Sequence, residues 1–206
     1  MFKEKLKFAF YTLAHPSDGF YEIRHRNRGS VFLAILFVFL FGVSFASNRQ
    51  YAGFVVNVLN PMSVNSPIEV SGVMILFLLF CIGNWSITCL MEGEGRFKDI
   101  ITVMGYSILP MVLTFVPATI LSHFLAQNEE AFYSIILVAS LLYFLLLALI
   151  GIMTVHNFTL GKTLFTIVLT FVAMFIIIFL CLLFGSLMGQ IINFFKSIYD
   201  ELILRA

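Results

Sequence analysis

A serine hydroxyl, two histidines and a pair of adjacent carboxylates are the residues whose types allow hydrolytic chemistry. Ser107 stands in the run Gly105-Tyr-Ser-Ile-Leu-Pro110, and His123 and His156 are the candidate bases. A serine nucleophile needs a base within hydrogen-bond reach and donors for the oxyanion. Ser107 and His123 share one apolar stretch, about 24 Å apart along a helix, and Pro110 and Pro117 would have to fold that distance back. His156 belongs to another stretch, so its contact with Ser107 stays open. Helix packing and kinking explain a Gly-Tyr-Ser-x-x-Pro run without any chemistry. Glu129 and Glu130 have no histidine following at helical spacing, so no metal site is expected there. The cysteines, Cys81, Cys89 and Cys181, lie inside apolar runs and read as small packing residues. No catalytic residue, metal or cofactor is therefore expected.

The elements that hold these residues are far more apolar than a soluble core. Of the 206 residues 61% are hydrophobic and 11% charged, against about 25% charged in soluble domains. So little polar surface cannot cover a globule, and the chain reads as an all-α integral membrane protein, a five-helix transmembrane bundle. The formal net charge of +1 gives no reason to expect nucleic acid. The first apolar run begins only at Val31, so no signal peptide is expected and the first span serves as the insertion signal. Spans are expected at about 30–47, 70–91, 100–126, 132–155 and 163–188. The third contains Pro110 and Pro117, which should kink or break it.

Interfacial amphipathic helices are expected at both termini. Residues 1–29 form a cytoplasmic segment in which Phe2, Leu6, Ala9, Phe10 and Leu13 share one helical face, opposite Lys3, Glu4 and Lys7. Such a helix lies in the membrane interface or packs on the bundle. His15-Pro16-Ser-Asp-Gly19 is expected to end it in a turn. Arg24, Arg26 and Arg28 precede the first span, where cations meet anionic headgroups of the bilayer. In the loop at 48–69, the stretch Tyr51–Leu59 is apolar enough to dip into the interface. The tail 189–206 repeats polar residues every three to four positions and reads as an amphipathic helix on the outer side. Sorting Lys and Arg by side gives six in residues 1–30, two in 92–99 and Lys162, against Arg49, Lys196 and Arg205 opposite. The positive-inside rule then puts the N-terminus in the cytoplasm and the C-terminus outside a cell (plasma) membrane.

Three further places carry functional readings. Asn84 is the most polar side chain within a span, either an interhelical hydrogen bond or part of a solute path. Gly185-x-x-x-Gly189 permits close helix approach, within one chain or between two copies in a homo-oligomer. The charged loop Glu92-Gly-Glu-Gly-Arg-Phe-Lys-Asp99 offers Arg96, Phe97 and Lys98 at the cytoplasmic face, as a topological anchor or as a docking point.

Pro16-Ser-Asp-Gly-Phe20-Tyr-Glu-Ile23, then Gly93-Glu-Gly95-Arg-Phe97-Lys98-Asp99 with Gly105-Tyr106-Ser107 and Pro110, in a chain of five spans, resembles the Yip (Ypt/Rab-interacting protein) family, in its bacterial branch. The resemblance covers essentially the whole chain. It implies a five-span, non-enzymatic membrane protein with a cytosolic N-terminus that binds a partner or organises a complex. The segment before the first span is about thirty residues, shorter than the region through which eukaryotic members meet small GTPases, so that activity does not carry over. Bacterial relatives encoded beside sugar importers make transporter subunits candidate membrane-protein partners. The alternative is solute or lipid permeation built around Asn84 and the kinked third span.

Overall fold

The computed structural model describes residues 2–57 and 60–205, and the helices it contains run the way the apolar pattern requires. In order they are α1 (Phe2–Ala14), α2 (Pro16–Arg26), α3 (Val31–Tyr51), α4 (Ser66–Leu90), α5 (Phe97–Ser107), α6 (Leu109–Leu121), α7 (Glu130–His156) and α8 (Leu160–Arg205). Among the described residues there is no strand. Taking α5 and α6 together as one broken span, five stretches are long and apolar enough to cross a membrane. Fold class and span count therefore agree with the sequence reading.

The third span is the mast of the bundle: 72% of its apolar stretch is buried, against 44% or less for the other four. It is seated by absent side chains. A Cβ on Gly105 of α5 would lie 2.5 Å from that of Ala34 on α3, and one on Gly151 of α7 would lie 2.2 Å from a methyl of Val103. Helices in lipid associate by such close approach, because no hydrophobic force separates a side chain from a lipid tail. Tyr106 lies at the centre, fully buried, with Phe37 edge-on at 5.7 Å and its hydroxyl accepting from the Ser30 N–H at 3.1 Å.

The break in this span falls at Ile108, where Pro110 lacks the N–H that would continue the ladder. Pro117 leaves α6 unbroken, so one proline of the two interrupts the helix. The span ends at Leu121, short of residue 126, because Ser122 turns to receive the loop after α3: the Gly53 N–H donates to Ser122 Oγ at 2.8 Å.

Two expectations about the termini are corrected. α1 does end before Pro16, with His15 out of helical geometry, but no turn follows: Pro16 begins α2, where a missing N–H costs nothing. Gly19 lies inside α2, where a Cβ would meet Thr12 of α1 at 2.6 Å. α1 packs on the bundle rather than lying free of it, and it buries Phe8, Ala9 and Thr12 while Phe10 faces outward. At the other terminus the described tail is helical, as expected, but continuous with the fifth span. The fifth span and residues 189–205 form one 46-residue helix, about 69 Å long at 1.5 Å per residue. Only its first turns pack, through Thr163, Thr166, Thr170, Ala173 and Met174.

Candidate functional site

The glycines of the charged loop are explained by one imidazole. A Cβ on Gly93 would lie 2.6 Å from Nδ1 of His156, and one on Gly95 2.5 Å from its Cε1. The loop thus wraps the ring at the end of α7, and the Gly95 N–H donates to Nδ1 at 3.2 Å. A ring that accepts at Nδ1 is neutral and carries its proton on Nε2. That nitrogen is buried without a hydrogen-bond partner among the described residues. Phe158 stacks on the imidazole at 5.3 Å, and the Lys162 ammonium sits 4.3 Å from the centre of the Phe158 ring. The Gly93 N–H donates to the carbonyl of Thr88, closing the end of α4.

Next to this ring the loop becomes α5, and Asp99 is the centre of the charge arrangement. Its carboxylate is 4% exposed. It accepts from Arg96 Nε at 2.8 Å and from the Arg96 backbone N–H at 3.3 Å, the acidic half of a capping box. Arg24 of α2 approaches it at 3.6 Å. Asp99 raises the pKa of the Arg96 guanidinium above its already high value, mainly through this hydrogen bond, so Arg96 stays charged. Arg96 also donates to the Arg24 carbonyl and, at 2.9 Å, to Asn27 Oδ1, which Lys98 Nζ reaches at 3.1 Å. Asn27 is the left-handed cap of α2, φ 50°. Arg96 and Lys98 therefore fasten the N-terminal helices to the third span. Phe97 is half-buried against Trp85, ring centres 5.6 Å apart.

The remaining cations form a rim. Arg28 and Arg26 both bind Glu22, at 2.6 and 3.4 Å, with 58% and 67% of each side chain exposed. Arg24, Arg96 and Lys98 thus tie α2 and its cap to the third span, Arg96 with 44% of its side chain still exposed, and Arg26 and Arg28 are the more exposed pair. A cleft of about 720 Å³ lies between α1 and α2, with Lys5, Lys7 and Arg28 set against Glu4 and Glu22.

The other candidates lie apart from this end's chemistry. Ser107 is buried and donates to the Val103 carbonyl of its own helix at 2.8 Å, and His123 bonds the carbonyl of Thr119. His156 is engaged with Gly95. Asn84 is six residues from the end of α4, about 9 Å along it, and donates to Thr170 Oγ1 of α8 at 3.1 Å. It belongs to a buried seam with Thr88, Thr163 and Thr166, and its Oδ1 has no partner among the described residues. Neither Asn84, Pro110 nor Pro117 lines the cleft between α1 and α2 or the groove between α3 and α4. A Cβ added at Gly185 or at Gly189 would meet nothing within 4 Å, so these glycines seat no helix of the same chain. Cys81 is buried, whereas Cys89 and Cys181 face outward.

Sequence reasoning missed three residues. His156 entered only as a base, Asp99 only as the last residue of the charged loop and of the family motif, and Asn48 not as a site. Asn48 is buried at the opposite end, where its amide donates to Thr119 at 2.8 Å and to the Tyr133 hydroxyl at 2.7 Å. A polar residue in the last turn of a span was the available signal.

No curated protein and no solved structure matches the chain. A family model described as Yip1 domain matches residues 10–196, from within α1 to within α8. With the first four spans, most of the fifth, the loop that wraps His156 and the broken third helix inside that match, the chain belongs to the Yip1 domain family.

Proposed function

We propose that this chain is a non-enzymatic, partner-binding membrane protein, an accessory or organising subunit that meets its partner through the charged end of the bundle. That end faces the cytoplasm on this reading, since nine of the twelve Lys and Arg residues fall on its side. The observation that carries the proposal is the division of labour among its cations. Arg24, Arg96 and Lys98 bond across to other elements, while Arg26, at the end of α2, and Arg28, just beyond it, pair only with the nearby Glu22 and stay more than half exposed. A membrane-protein partner with an acidic cytoplasmic segment, a transporter subunit included, fits that rim.

The test is affinity purification from native membranes in mild detergent, comparing wild type with Arg26→Glu/Arg28→Glu. A stoichiometric partner that is lost in the variant supports the proposal. A protein that purifies alone in both forms overturns it. Arg96→Glu is the wrong probe, because it would break the fastening of α2 and mimic loss of binding by unfolding.

A further inference from the structure

We infer that α1 and α2 form a re-entrant hairpin, which enters the bilayer beside α5 and α7 from the charged end and turns back near half-depth, with lipid covering its outer face. The landmarks are side-chain contacts. At the mouth, Arg24 meets Asp99 in the first turn of α5, and Arg28 lies over the Phe8 ring at 5.4 Å. One step inward, Phe20 lies against Gly151 and Val103. At the tip, the Tyr143 hydroxyl donates to the carbonyl of Leu13 at 2.6 Å. Tyr143 is thirteen residues from either end of α7 (Glu130–His156), the middle of that span.

Two rulers give the depth. Tyr143 is about 20 Å along α7 from His156, and Pro16 is about 12 Å along α2 from Arg24, at 1.5 Å per residue. A hydrocarbon core is about 30 Å thick, so both values put the turn in the middle third. The lipid-facing apolar surface of the same end already begins at Leu90, Leu160 and Phe165, all exposed. The hairpin continues that surface with Phe10, Tyr11 and Tyr21, each 40–52% exposed.

The chemistry suits immersion. Lys3, Lys5 and Lys7 start α1 and Arg24 and Arg26 end α2, so the cations cluster at the mouth. The two helices touch through Gly19 and Thr12, the small-residue contact expected in lipid. Tyr143 satisfies one of the orphan carbonyls at the end of α1, which an apolar medium would otherwise leave costly. At the tip His15, Ser17 and Asp18 are exposed; Asp18 sits in the first turn of α2, where the helix dipole favours a carboxylate, and His15 stacks on Tyr11 at 4.8 Å.

The test places a single tryptophan at the tip, Ala14→Trp in a Trp85→Phe background, in the full chain reconstituted into phosphatidylcholine vesicles. Nitroxide lipids labelled at mid-chain should quench it about twofold more strongly than headgroup-labelled ones, as expected for a fluorophore near half-depth, and aqueous iodide should quench it weakly. Lys3→Trp in the same background should show the reverse. Phe10→Trp, one turn shallower and already aromatic and exposed, gives a second reading should the tip variant fold poorly. Strongest quenching of Ala14→Trp and Phe10→Trp by headgroup-labelled lipid, or by iodide, would overturn the inference.

Discussion

A single ring makes two glycines obligatory at the scale of the residue. Gly95→Ala would push a methyl into His156, and overpacking of this kind costs about 1–3 kcal/mol. We expect the loss in thermal unfolding in detergent, and we expect His156→Ala to recover part of it in the double variant; strict additivity would show that ring and loop are not in contact. Asp99→Asn should cost about 1–2 kcal/mol, the loss of charge-assisted hydrogen bonds reduced by solvent, because Arg24 and Arg96 keep 21% and 44% of their side chains exposed. Arg26→Ala, on an exposed pair, should change stability by less than about 1 kcal/mol. None of this was legible along the chain. The Gly-x-Gly spacing marks a tight loop, but the group it wraps lies some sixty residues later, and Asp99 reads as one more charge in a charged loop until its arginines converge on it.

Elements were legible where one residue type settles their fate. The apolar runs give the five spans by length alone, and Pro110 marks the break in the third because it removes a donor and crowds the carbonyl four residues back. Boundaries were legible only in part. Pro16 reads as a stop and is also a start, since a proline serves equally after one helix and at the head of the next. The face of α1 was read correctly at Leu6, Ala9 and Leu13 and missed at one place: with aromatics at positions 8, 10 and 11, periodicity alone does not choose Phe8 over Phe10, and Tyr106 does. At the opposite end of the bundle, Asn48, Thr119 and Tyr133 join α3, α6 and α7. Asn48→Ala should lower stability by about 1–2 kcal/mol, and Tyr133→Phe by less, because the phenol removes one group from the network where the amide removes two. Equal effects of the two substitutions in the same melt would argue against that network.

The whole molecule combines a packed bundle with a helix that outruns it. From Ile178 to Ile203 the described side chains of α8 are exposed, Gly189 being half-buried. Gly185→Leu/Gly189→Leu should therefore leave the melting temperature of the monomer unchanged, and any effect should appear in the mass of the detergent-solubilised species by light scattering; a lowered melting temperature would mean that α8 folds back on its own bundle. Asn84→Leu should weaken the α4–α8 seam and, in liposomes, alter no solute flux. The third span, finally, is the least apolar of the five and the most enclosed. It leaves the ribosome before α7, one of the two walls that bury it, has been made. A segment carrying Thr102, Ser107, Pro110 and Pro117 gains less from lipid on its own than any other span and more from the helices that enclose it. Its integration must then wait for the fourth span to emerge, so that biogenesis of this protein proceeds by the joint entry of two helices, and a chain truncated before α7 should leave its central helix outside the bilayer.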